Sequence, residues 1–155
     1  MAIYAKLPNI KGEVILTDYP GWVELSSLQF GVTNTAAPAG GGSGTGKPSA
    51  SDITVTKTLD TVTVPVLRDL LTGATLSPVL IAFTTKDASA TTEYLRYTAS
   101  GVVLTGYSLA TGGDRPSESL SLRFSKIATT VTHVDTVGNL VKQTVTWDLV
   151  AGRVT

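Results

Sequence analysis

No cysteine occurs in the 155 residues. That excludes disulfides, thiol catalysis and thiolate metal sites. Charge is scarce too: Asp, Glu, Lys and Arg together make 15% of the chain, below the usual share of a soluble domain. Twelve basic residues cancel twelve acidic ones. Nucleic-acid binders depend on a basic excess for phosphate contacts, so no nucleic-acid partner is expected. No apolar run approaches the ~18 residues that span a bilayer, so no membrane insertion is expected. The opening Met1-Ala2-Ile3-Tyr4-Ala5-Lys6 lacks the basic and then long apolar segments of a secretory leader. Export of such a chain would need a dedicated machine.

What the chain has instead is threonine, 25 residues of it, much of it beside valine as in Thr54-Val55-Thr56 and Val145-Thr146-Trp147. Branched Cβ atoms pack well on a pleated surface, so these stretches predict strands. Ile3, Ala5 and Leu7 alternate, and Val14 to Leu16 would continue that strand. Ile53, Val55 and Leu59 alternate with threonines. Val79, Ile81 and Phe83 share one parity, and Leu120, Leu122 and Phe124 share another before the parity shifts near Lys126. Tyr94 to Leu109 fits one bent strand or two, with Gly101 and Gly106 as bulges. Turns are expected at 87–90, 111–116 and 137–139. One helix is expected, since Leu67, Leu70, Leu71 and Ala74 follow i, i+3, i+4, i+7 spacing. Thr63 would cap it, Pro65 would sit in its first turn and Gly73 would end it. Leu67, Leu70 and Leu71 would form its packing face. The sum is a single mainly β domain over 1–155, an antiparallel β-barrel or tight sandwich with one short helix.

Residues 33–51 cannot build a core and predict a long Gly-rich loop. Within it, Gly41-Gly42-Ser43-Gly44-Thr45-Gly46-Lys47 resembles a phosphate loop. Pro48 stands where that motif needs a hydroxyl, and strand periodicity follows where it needs a helix, so no nucleotide cofactor is expected. His133 lies near Asp135, but no nucleophile elbow accompanies them, and one histidine without cysteine is a poor zinc set. No paired carboxylates suggest acid–base catalysis. Trp22, Tyr94, Tyr97, Tyr107 and Trp147 could stack on sugars or bases, but aromatics more often fill cores and interfaces. No catalytic, metal or cofactor site is expected, and the function classes left are an assembly protein or a small β-barrel ligand-binding module.

Taken in order, several stretches resemble the haemolysin-coregulated proteins, the Hcp family of type VI secretion tube subunits. They are Met1-Ala2-Ile3, Ile10-Lys11-Gly12-Glu13, Trp22-Val23-Glu24-Leu25 to Phe30-Gly31, and the loop ending Gly46-Lys47. Thr56-Lys57-Thr58-Leu59-Asp60 with Pro65 and Leu67, Asp114 to Ile127, and Trp147-Asp148 continue the likeness. Tail-tube proteins of phages and other contractile machines share this general build. The resemblance implies a tight antiparallel β-barrel with one short flanking α-helix, and hexameric rings of it that stack into a tube, with effector proteins in the lumen and sheath and spike proteins as further partners. It implies a chain that is cytoplasmic before firing and secreted afterwards without a signal peptide. It also implies that Ala39, Gly40, Gly41, Gly42, Ser43, Gly44, Thr45, Gly46 and Lys47 reach toward a neighbouring subunit or ring. Such a loop gains nothing for a lone subunit, because holding many glycines in one conformation is entropically costly.

Overall fold

The alternating stretches become antiparallel strands in the computed structural model, which describes residues 1–35, 46–88 and 90–155. The first strands are β1 (Ala2–Lys6), β2 (Val23–Leu25), β3 (Ser27–Gln29), β4 (Val32–Asn34), β5 (Pro48–Ala50) and β6 (Ile53–Thr58). The helix α1 (Thr63–Thr72) follows, then β7 (Thr75–Leu76), β8 (Val79–Lys86), β9 (Thr91–Ser100) and β10 (Val102–Ala110). The chain closes with β11 (Ser117–Arg123), β12 (Lys126–Val134), β13 (Leu140–Asp148) and β14 (Arg153–Val154). A seven-stranded sheet runs β14-β13-β12-β9-β8-β1-β2, and a five-stranded sheet runs β3-β6-β11-β10-β7.

The sheets share long strands. Val103 pairs with Arg123 and Ser100 with Lys126, so β9–β10 and β11–β12 form one ribbon in one register. It bends at Gly101 and Ser125. Gly101 has φ +60°, and a Cβ there would collide with the Ser125 hydroxyl. That corner explains the parity shift near Lys126. A second irregularity falls between Leu104 and Gly106, one of the two expected bulges. The inward side chains of both sheets meet in one apolar cluster that includes Ile3, Val23, Ile53, Val55, Val66, Ile81, Leu120, Leu122 and Ile127.

Four sequence expectations need correction. Among the described residues the sheets are open and no closed barrel forms. The corners interrupt the ladders; at one of them Pro78 has no N–H to donate. Residues 14–16 form no strand. They belong to a strap that folds over the far side of the seven-stranded sheet, where Val14, Tyr19 and Trp22 pack with Tyr4 and Ala82. The base of the expected loop is a short ribbon, Val32–Asn34 paired with Pro48–Ala50. Of the nine residues from Ala39 to Lys47, those from Ala39 to Thr45 lie outside the described residues; Ser89 of the 87–90 turn does as well.

The fourth correction concerns α1. Val62 and Val66 are buried and Leu70 packs half-buried against the core, but Leu67 sits at the margin and Leu71 is 82% exposed. The helix is apolar on two sides, and the i, i+4, i+8 row Val62, Val66, Leu70 is the one that faces inward. Thr63 does not cap it either. Val62 occupies the cap position without a side-chain bond, and Asp60 Oδ1 accepts the Val62 N–H at 2.9 Å. Gly73, at φ 69°, ends the helix as expected.

Candidate functional site

Cross-strand partners share a face, so each row across the seven-stranded sheet shows where cover runs out. One row reads Val23, Ala5, Ile81, Tyr97, Thr129, Val145. The first three are buried, the next two half-buried, and Val145 is 49% exposed. The next row ends Phe83, Leu95, Val131, Gln143, with Val131 at 43% exposure. Val141 and His133 pair beyond it. β12 and β13 therefore carry the core's own face to where cover by the described residues thins, with Leu95 and Val141 half-buried and Val131 and Val145 exposed. Four apolar side chains, Leu95, Val131, Val141 and Val145, lie on this extension. Along the outer side of β13 Thr146 to Asp148 meet the C-terminal segment, so among the described residues Leu140 to Val145 form a free edge. A free edge and an uncovered apolar face are features that soluble proteins hide unless they serve an interface.

The opposite face of the same sheet is polar where it is open and sealed where it is not. Thr98, Thr130 and Thr144 lie in its open part, with the hydroxyls of Thr130 and Thr144 2.9 Å apart. The strap covers the rest. Tyr4 stacks on Tyr19 at 5.0 Å between centroids, and Tyr19 meets the Trp22 edge at 4.9 Å. The Tyr19 hydroxyl donates to Glu93 at 3.1 Å; burial and that carboxylate push its pKa up to about 12. Arg96 grips Glu93 with two bonds of 3.0 and 2.7 Å and lies over the Trp22 ring. Gly12 lets the strap approach its own return leg, since a Cβ there would strike the Trp22 carbonyl.

A charged cluster that sequence reasoning missed locks α1 to the five-stranded sheet. Lys57 and Glu118 are 2% and 1% exposed. Lys57 Nζ donates to Glu118 Oε1 at 3.0 Å, to Asp60 Oδ1 at 2.6 Å and to the Thr58 carbonyl at 2.9 Å. The Thr63 hydroxyl donates to Glu118 Oε1 at 2.7 Å. Burial pushes the Glu118 carboxyl up, but bonds from Thr63, Lys57 and Tyr107 outweigh it and hold the pKa below the usual value. Every buried side-chain polar atom among the described residues has a partner. A network this complete is structural. The available signal was one charge at an inward position of each alternating run, Ile53-Val55-Lys57 and Glu118-Leu120-Leu122.

The candidate chemical residues do not converge. His133 is exposed on β12, and the Asp135 carboxylate turns away to accept the N–H groups of Val137 and Asn139 at 2.9 and 2.8 Å. Asp135 is therefore a turn cap. Among the described residues no group of three or more His, Asp or Glu side chains is placed to hold a metal. A cleft of about 450 Å³ beside Glu13, Glu24 and Asp60 is partly filled by Arg115, which donates to the Leu59 carbonyl at 3.2 Å. Asp60 itself is committed to Lys57. Gly46 and Lys47 lead into β5, not into a helix, so the phosphate-loop likeness has no helix N-terminus behind it. Among the described residues, no helix is long and apolar enough to cross a membrane.

Comparison with solved structures places this architecture. A structure described as a type six secretion system protein superposes with TM-score 0.88 at 22% identity, covering 99% of each chain. Hcp1 from Salmonella typhimurium gives 0.79 at 19% identity over 99% of this chain and 98% of that one. Hcp1 from the E. coli EAEC 042 pathovar, a double variant, gives 0.74 at 20% identity over 92% and 97%. No curated protein matches by sequence. The model of the family described as "Type VI secretion system effector, Hcp" matches residues 4–131, most of the chain. The chain belongs to the Hcp family of the type VI secretion system.

Proposed function

We propose that this protein is a structural subunit of a type VI secretion tube, not an enzyme, and that its copies close into six-membered rings that stack. The observation that carries this is the uncovered core-side face of β12 and β13. An apolar face continuous with a core, next to a free strand edge, is incomplete in a lone subunit and complete beside a neighbour. Cyclic closure is the usual way for identical subunits to satisfy a head-to-tail contact. Family membership sets the context: release by the secretion machine, effectors carried in the lumen, and sheath and spike proteins as further partners. The ribbon of β4 and β5 gives the Gly-rich segment a fixed base on the surface, from which it would order against a neighbouring subunit or ring.

Light scattering tests the reading. A mass near six subunits at high protein concentration is expected. A strictly monomeric species across the accessible concentration range would overturn it.

A further inference from the structure

His133 is the chain's one histidine. Among the described residues it belongs to no metal-binding group, and no nucleophile elbow accompanies it. Its place in the sheet is what matters. Ile127, Thr129, Val131 and His133 alternate along one side of β12, running from a buried end to an exposed one. His133 therefore stands on the core-side face that a neighbour would cover. It pairs with half-buried Val141 and is next to the pair of Val131 and Gln143.

Other ionisable groups near this end of β12 are turned elsewhere. The Asn139 and Val137 N–H groups hold the Asp135 carboxyl below the usual aspartate range, so it stays ionised above about pH 5. Glu93 on β9 is gripped by Arg96 and accepts from Tyr19 on the strap side. Tyr94 tilts toward the Phe83 ring. Lys142 pairs with Thr132, which alternation puts on the opposite face. Histidine is the one side-chain type that ordinarily changes charge between pH 5 and 8. This face holds the only one in the chain.

We propose that His133 is a pH-sensitive switch of assembly: its neutral imidazole is covered when copies of the chain join, and its protonation drives them apart. The switch rests on the ring reading above and adds how that contact is regulated. Covering an imidazole with apolar neighbours disfavours its charged form. The face offers Val131, Val141, Val145 and uncharged Gln143, and none of these can receive a new positive charge. Asp135 pulls the other way, since a negative charge favours the imidazolium. Its oxygens are already engaged, though, and it sits at an exposed turn where such attraction is screened. The dissociated subunit therefore binds more protons than the assembled one. Assembly is at full strength above the ordinary histidine range and weakens as pH falls through it.

Light scattering at constant ionic strength tests this. The concentration for half-assembly should rise about tenfold from pH 7.5 to pH 5.5. The melting temperature of the dissociated subunit should hardly move over that interval. His133→Gln, uncharged at both pH values, should assemble equally at both. A second measurement needs no substitution. With 13C-labelled histidine, the single imidazole signal should titrate at lower pH in rings than in dissociated subunits. Equal half-assembly concentrations at both pH values, a pH dependence that survives in His133→Gln, or one titration midpoint for both states would each overturn the switch while leaving the ring reading intact. Absence of rings in the unmodified chain at either pH would overturn both.

Discussion

The two halves of the β9–β12 ribbon have the same alternation and opposite fates. In β10 and β11 the inward residues Val102, Leu104, Leu120 and Leu122 are buried under the facing sheet and helix. Past the Gly101 corner, β9 and β12 present Leu95 and Val131 with equal regularity, yet Val131 stays 43% exposed among the described residues. Periodicity reports which side of a strand prefers to leave water. It does not report whether the cover comes from the same chain. An assembly subunit is the case in which that distinction matters most.

The largest way to sharpen the comparison is to attack the covered half. Glu118→Ala would leave the Lys57 charge buried without its partner, at a cost of about 3–5 kcal/mol in urea unfolding. Replacing both, as Lys57→Met with Glu118→Leu, should recover most of that loss. The network also predicts a pH dependence. The Glu118 pKa is lowered by folding, so its contribution is present above the ordinary glutamate value of ~4.3 and lost as pH falls through the folded value. Glu118→Gln should flatten the stability curve below about pH 4; an unchanged acid limb would show that other carboxylates set it.

Next comes a pair of substitutions in one row. Ile81→Ala should cost about 2–5 kcal/mol, as for buried aliphatic truncations. Val145→Ala should stay within about 0.5 kcal/mol in the dissociated subunit. Equal melting shifts would break the comparison, because they would place Val145 in the subunit's own core. The two sides of α1 give a smaller contrast. Leu70→Ala should cost roughly 1–2.5 kcal/mol, half the fully buried range, and Leu71→Ala close to nothing in the dissociated subunit. Smallest of all is the loop. Shortening residues 36–46 to a brief Ser-Gly link should change subunit stability by about 0.6 kcal/mol per halving of length. Ring mass or stacking, seen by light scattering and negative-stain microscopy, should weaken instead. Intact stacks built from a destabilised subunit would assign the loop to the fold.

Much of this architecture was legible from residue order because strand signals are local. Thr/Val alternation located the strands, and Gly101 marked the bend because only a residue without Cβ fits against Ser125. The motif stretches, read together, located the family. Three features were not legible, each for a physical reason. The helix phase failed because Leu67 and Leu71 are as apolar as Val66 and Leu70, and spacing alone cannot rank two apolar stripes. The Lys57–Glu118 pair joins residues 61 positions apart, across a register that only the folded sheet defines. The strap was hidden because Val14, Ile15 and Leu16 resemble a strand, while the Gly12 approach to Trp22 and the tyrosine stack that hold it are tertiary.

The position of β1 has a consequence for timing. It stands between β2 and β8, and Ala2 pairs with Thr84. This interior strand of the larger sheet thus leaves the ribosome ahead of its second partner, which emerges on the order of ten seconds later at ordinary synthesis rates. β12 and β13 emerge later still, well after α1. Pairing over such separations also makes refolding slow, in the millisecond-to-second range expected of non-local sheets. Stopped-flow refolding of dilute subunits in microseconds would contradict that order of events.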